Sequence, residues 1–199
     1  MLKLFGGRKP GLVGLDISAS AIKLLELSRD DGGYVVESYG VEPLPENTVV
    51  EQNIVDVEAV AEAIKRLQAS TQFKSKTAAV AVAGSAVITK TIEVPASLKE
   101  NQIEEQLLMD ADQYIPYPLD EVALDFQVLE ATARSEDMVD VLIAACRQEH
   151  IESRQAALEL SGLTPEVIDI EAHCVQRAIA LDLELFTRDP ALGVPDVLA

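Results

Sequence analysis

Residues 12–17 and 22–29 are two strand-like runs rich in Val, Ile and Leu, and only Ser18-Ala-Ser-Ala21 separates them. So short a link between β-prone runs forces them side by side as a hairpin. Asp30-Asp-Gly-Gly33 repeats the turn signal, and residues 34–44 read as a third strand that Pro43 and Pro45 end. Asp56 suits an N-cap, and Val57, Val60, Ile64 and Leu67 keep helical spacing behind it. Residues 78–83 are wholly apolar, the pattern of a central strand covered on both faces. Three meandering strands, a helix and a buried strand make one layered α/β unit.

The pattern changes after Gly84. Residues 87–94 form a strand that Pro95 stops, and Ser97-Leu-Lys-Glu100 reads as a capping box opening a helix. Ile103, Leu107, Ala111 and Tyr114 line its buried face, and Pro116 and Pro118 mark its end. Strands follow at 122–130 and 138–145 across the polar loop 132–137, then a helix near 148–160 that closes at Gly162, an αL cap. This β-α-β-β-α block, residues 86–163, reads as an insert with its own small sheet. Residues 167–170 return as a strand. Ala172, Val175, Ile179 and Leu183 then mark a last amphipathic helix.

Sixteen basic residues against 34 acidic ones give a formal charge of −18. Such a surface repels nucleic-acid phosphates and anionic lipid, and it favours basic or apolar partner segments. Cys146 and Cys174 have neither metal-site nor secretory spacing and read as buried thiols of a reducing compartment. Residues 1–10 carry Lys3, Arg8 and Lys9 without the apolar run of a signal peptide. The longest uncharged run, 77–89, is too short for a membrane helix. Residues 189–199 turn at Pro190 and Pro195 and stop inside an apolar beginning, as a piece of a longer protein would. His150 and His173 sit on predicted helices without paired ligands. Glu104, Glu105, Asp110 and Asp112, like Asp120, Glu121 and Asp125, read as surface charge. No Walker loop or Gly-x-Ser-x-Gly is present.

One loop carries chemistry of its own. Asp16 ends the first strand and Lys23 follows seven positions on, across a turn of small residues. Small residues let backbone amides approach a polyanion, lysine adds charge, and an aspartate holds Mg²⁺ through water. Taken alone, Asp-x-Ser between strands is also an ordinary hairpin turn.

The element order resembles the first half of the FtsA-like branch of the actin superfamily. Several segments narrow the resemblance to the PilM family of type IV pilus proteins. They are Gly14-Leu-Asp-Ile-Ser18 with Ile22-Lys-Leu-Leu-Glu-Leu27, Val94-Pro95, Asp110-Ala-Asp-Gln-Tyr-Ile-Pro-Tyr-Pro118 and Leu124-Asp-Phe-Gln-Val128. The resemblance implies an actin-like, ribonuclease-H-like α/β subdomain 1A from residues 1–85 and 164–199, with subdomain 1C inserted at 86–163. It implies that Asp16 orients a hydrated Mg²⁺ and that the amides of Ser18, Ala19 and Ser20 cradle ATP phosphates beside Lys23. Ser18 stands where many relatives have glycine, and the second half of the nucleotide cleft belongs after residue 199. ATP binding by this chain is therefore expected to be negligible, with no turnover.

The resemblance further implies a non-enzymatic cytoplasmic adaptor, peripheral to the inner membrane, that captures the N-terminal tail of PilN between 1A and 1C. The expected peptide contacts are Tyr114, Ile115, Pro116 and Tyr117, with Asp112 as a charge partner, although Tyr114 and Ile115 also fit core spacing. Other pilus platform and motor proteins are further partners the resemblance allows, and exposed apolar surface favours self-association. An actin-like phosphotransferase and an FtsA-like filament-forming division protein are the alternatives within the superfamily.

Overall fold

The computed structural model describes residues 11–30, 33–129 and 137–188. Its first unit starts with β1 (Val13–Ile17), β2 (Ala21–Asp30) and β3 (Gly33–Pro43), the expected meander. A two-residue-turn hairpin follows, β4 (Val49–Val50) and β5 (Asn53–Ile54), then α1 (Val57–Thr71) and β6 (Thr77–Val82). The second unit contains β7 (Val87–Pro95), α2 (Glu100–Asp110), β8 (Val122–Val128) and β9 (Met138–Arg147). The chain then returns through α3 (Gln148–Leu160), β10 (Thr164–Ile170) and α4 (Glu171–Arg188). The expectations for residues 1–10, Asp31, Gly32, the loop from 130 to 136 and residues 189–199 lie outside the described residues.

The larger sheet has the order β10-β6-β1-β2-β3, with β6 parallel to both its neighbours and the meander antiparallel. Alternation sends Val13, Leu15, Ile17, Ile22, Leu24, Ala78 and Val80 to one face. Val60, Ile64 and Leu67 of α1 and Ala157 and Leu158 of α3 cover them. Each buried Leu, Ile or Val there contributes about 1.5–3 kcal/mol of transfer free energy. Asp56 caps α1 by accepting the Ala59 N–H at 2.9 Å. Gly40 lies where α1 crosses β3, and a Cβ there would come 2.6 Å from Thr71 Cγ2.

Among the described residues the opposite face of this sheet is open apart from the start of α4, which flanks it. Ala79 and Ala81 are half-buried and line a wide groove, so the apolar run 78–83 is covered on one face rather than two. The apolar stripe on α4 is open in the same way. Ala172, Val175 and Ile179 are exposed, because no described segment packs over them, and the Leu183 side chain lies outside the described residues.

The smaller sheet, β7-β9-β8, is antiparallel throughout. Val94, Val141 and Ile143 on its one face pack against Ile103 and Leu107 of α2. The N-cap lies two residues later than the expected capping box places it. Ser97 and Leu98 are taken up in a turn closed by Leu98 N–H to Pro95 O at 3.0 Å. Lys99 becomes the N-cap residue, and its N–H donates to Gln102 Oε1 at 3.0 Å.

α3 also departs from expectation. Read from sequence it belonged to the insert, but its buried Ala157 and Leu158 join the core of the larger sheet beside α1. The segment built on the small sheet therefore ends with β9. Gly162 follows α3 with φ +83°, and Leu163 N–H closes on Leu158 O at 2.9 Å, the expected αL ending. The β4–β5 hairpin gave no sequence signal, since its turn uses Glu51 at φ +49° and Gln52 at φ +69° without glycine.

Candidate functional site

Across the β1–β2 ladder, where Asp16 and Lys23 are directly paired, Lys23 Nζ donates to Asp16 Oδ2 at 2.7 Å, and both side chains are about half exposed. The carboxylate beside it holds the lysine pKa above its ordinary 10.5. The pair sits at the mouth of a groove of about 730 Å³ over the open sheet face, lined by Gly14, Leu25, Ala79 and Ala81. Ser18 does not fit a phosphate cradle. Its N–H donates to Ala21 O at 3.0 Å and its hydroxyl to the same oxygen at 2.8 Å. These are the bonds that close the hairpin. Ala19 and Ser20 form the exposed bend beside Asp16 and Lys23.

The residues expected to line a peptide cleft separate into two kinds. Ile115 is 4% exposed and packs with Ala111 and Ala145, so it is core and no ligand reaches it. The reason is the half-turn after α2, where Ile115 N–H bonds Ala111 O at 2.9 Å and turns the side chain inward. Tyr114 packs against both small-sheet clusters with Lys90 Nζ 4.7 Å from its ring centroid. Pro116 is exposed. Tyr117 is exposed under the Arg147 guanidinium at 5.1 Å, in a polar groove with Glu51, Asn53, Ser85 and His150. The Asp112 side chain lies outside the described residues.

Two chain crossings join the sheets, residues 83–87 and 147–148, and a groove opens on each side of them. The polar one holds Tyr117. The other, of about 250 Å³, has the bare face of the small sheet as one wall, through Leu142, Ala144 and Cys146. Ile168, Asp169 and Ile170 of β10 with His173 and Arg177 of α4 form the opposite wall. Burial pushes the Cys146 thiol pKa up, which keeps it protonated and apolar.

Five consecutive residues of β8, Ala123 to Gln127, line this second groove. Among the described residues β8 pairs only with β9 and β10 only with β6, so both are sheet edges. Leu129 N–H bonds Asp140 O at 2.8 Å, which fixes the parity of the ladder. Residues 123, 125 and 127 exchange bonds with β9, while Leu124, Phe126 and Val128 turn their amides to the free edge. The Phe126 N–H donates to Asp125 Oδ1 at 2.9 Å. The arrangement recurs across the groove, where the Ile170 N–H donates to Asp169 Oδ1 at 2.7 Å and Arg177 donates to the other oxygen of Asp169.

From the sequence Asp125 reads as ordinary surface charge. An aspartate inside an apolar strand, directly before an edge amide, was the signal available for it. Asp169, His173 and Arg177 carried no signal, because the return strand and helix are brought to the small sheet only by tertiary packing.

A buried arginine holds the junction beside both grooves. Arg154, 2% exposed, donates Nε to Ala81 O at 2.8 Å, Nη1 to His150 O at 2.9 Å and Nη2 to Gln52 O at 3.2 Å. It ties β6, α3 and the β4–β5 turn together, and burial lowers its pKa. Among the described residues no group of three metal-ligating side chains occurs, and no helix is long and apolar enough to cross a membrane.

Residues 14–194 match the family described as "Type IV pilus assembly protein PilM". A solved structure titled "PilM-PilN type IV pilus biogenesis complex" is 30% identical with a TM-score of 0.77, covering 88% of this chain and 52% of that one. The cytoplasmic domain of EpsL, an inner-membrane component of the type II secretion system of Vibrio cholerae, is 17% identical with a TM-score of 0.50. It covers 79% of this chain and 56% of that one. The chain thus spans about half the length of the relatives it matches, and the mixed α/β architecture is that of the actin-like, FtsA-like fold.

Proposed function

The chain belongs to the PilM family of type IV pilus assembly proteins, and from that premise we propose that it is a non-enzymatic cytoplasmic adaptor. It captures the N-terminal tail of a PilN partner in the groove between the small sheet and the β10–α4 wall. Through that tail it sits at the inner membrane. The carrying observation is the groove itself, which has apolar walls from Leu142, Ala144, Ile168 and Ile170 and carboxylates at Asp125 and Asp169. An extended apolar tail with basic residues fits such a receptor. Buried aliphatic anchors supply affinity, while the net charge of −18 speeds encounter with a cationic segment. The two units correspond to subdomains 1A and 1C, with α3 on the 1A side.

Asp16, Lys23 and the Ala19–Ser20 bend form half of an ATP–Mg²⁺ site, and bound nucleotide would supply a conformational signal rather than turnover. An open half-site buries little of a ligand, so this chain alone binds ATP weakly.

The test is calorimetry with a synthetic PilN N-terminal tail at low and high salt. One-to-one binding that Ala144→Leu weakens about tenfold, or ~1.4 kcal/mol, is expected, while Tyr117→Ala in the other groove stays within about twofold. Absence of binding, or loss through Tyr117 rather than Ala144, overturns the reading.

A further inference from the structure

We propose that this groove recognises its occupant by strand addition, in which an extended peptide pairs with the free edge of β8 and displaces the Asp125 carboxylate from the Phe126 amide. The proposal rests on the adaptor reading above and adds how the tail is read. An edge of this kind is a template for another strand, and proteins guard such edges with charge. Here the guard has a specific form. Asp125 accepts the one edge amide at the middle of β8, and Asp169 does the same for Ile170 on the facing edge. Both carboxylates satisfy a backbone donor that a ladder would otherwise use, so each edge carries its own side-chain guard.

An incoming strand replaces that arrangement donor for donor. Its carbonyls take the amides of Leu124, Phe126 and Val128, and its amides meet the carbonyls of the same residues. The displaced Asp125 carboxylate, exposed and still in the groove, then becomes the partner for a basic side chain of the peptide. That exchange selects an extended basic segment over an acidic one, whose carboxylate would face Asp125 and Asp169 together. β8 rather than β10 is the pairing edge, because Asp169 is also held by Arg177 whereas Asp125 has no such anchor among the described contacts.

Amide hydrogen exchange by NMR tests the proposal, on the whole chain with the synthetic PilN tail as probe. Leu124, Phe126 and Val128 should gain about tenfold or more protection on binding, while residues 123, 125 and 127, already bonded to β9, change little. Peptides N-methylated one position at a time should lose affinity at alternate positions only. A tail that binds without the alternating protection or the alternating N-methyl effect overturns strand addition and leaves the adaptor reading standing. A parent tail that does not bind overturns both.

Discussion

Replacing Arg154 separates two opposed costs at one buried side chain. The guanidinium is 2% exposed and has no carboxylate among its bonded partners, only the carbonyls of Ala81, His150 and Gln52. Arg154→Met keeps most of the length and removes the charge. His150 O remains in the first turn of α3, so two carbonyls, Ala81 O and Gln52 O, lose their donor. An unsatisfied buried polar group costs about 1–3 kcal/mol, and because Ala81 is half-buried and Gln52 exposed the gross loss lies toward the lower end of roughly 2–6 kcal/mol. Against this, methionine escapes the desolvation of a cation, an effective penalty of several kcal/mol. The net expectation is a loss of about 1–2 kcal/mol, or a Tm lower by roughly 2–8 °C for a chain of this size.

Arg154→Lys should be worse than Arg154→Met. Lysine carries the full charge into the same site but has no planar fork to reach three carbonyls on separate segments. Urea and thermal unfolding of the three proteins decide the matter. A methionine variant at least as stable as the parent would show that desolvation outweighs the carbonyl bonds. A lysine variant milder than methionine would show that charge alone, without fork geometry, holds the junction.

Two further substitutions probe the frame around the groove. Gly40→Ala should destabilise by about 1–3 kcal/mol, because its Cβ would stand 2.6 Å from Thr71 Cγ2 and 3.0 Å from Leu67 Cδ2 and force α1 off the sheet. Thr71→Ala in the same chain should restore part of the loss, as chemical denaturation would show. His150 is buried, and that burial, opposed by Glu149 but reinforced by Arg154 and Arg147, lowers its pKa from 6.5. The unfolded chain then binds the proton more readily, so the cost is absent above pH 6.5 and grows as pH falls below it. His150→Gln should flatten this part of the stability-versus-pH curve, and an unchanged slope would assign it to other groups.

What the sequence made legible follows the range of the interactions involved. The β1–β2–β3 meander, Asp56 and the Gly162 ending rest on contacts within a few residues, and each is read directly from local residue types. The start of α2 shows where that reading slips. Ser97 and Glu100 make a valid capping pattern, but Leu98 is wanted by the small-sheet core, and the turn that delivers it moves the N-cap to Lys99. α3 fails for a longer-range reason. Its sequence places it directly after β9, and only the packing of Ala157 and Leu158 beside Ile64 and Leu67 reveals which sheet it serves. The groove is the extreme case, since its walls are separated in sequence and meet only after both sheets are docked.

That docking also bears on why the groove suits a receptor. Cys146 is paired with Val87, and with Ala123 on its other side, so the crossings between the sheets begin inside a continuous ladder rather than in loose chain. Arg154 then fixes the first-unit side of the same crossing by holding Ala81 and Gln52 to α3. A groove whose two walls are tied at their common base needs little ordering when a peptide enters, and ordering is a main cost of capturing an extended segment. The edge amides are likewise already aligned by β9, so a peptide adding to this edge would meet a formed ladder and displace only Asp125. Affinity in such a site is governed by how readily that carboxylate yields and where it goes next. A basic residue opposite Asp125 therefore counts twice, as a partner for the released charge and as the reason the edge opens to this segment rather than to any extended chain.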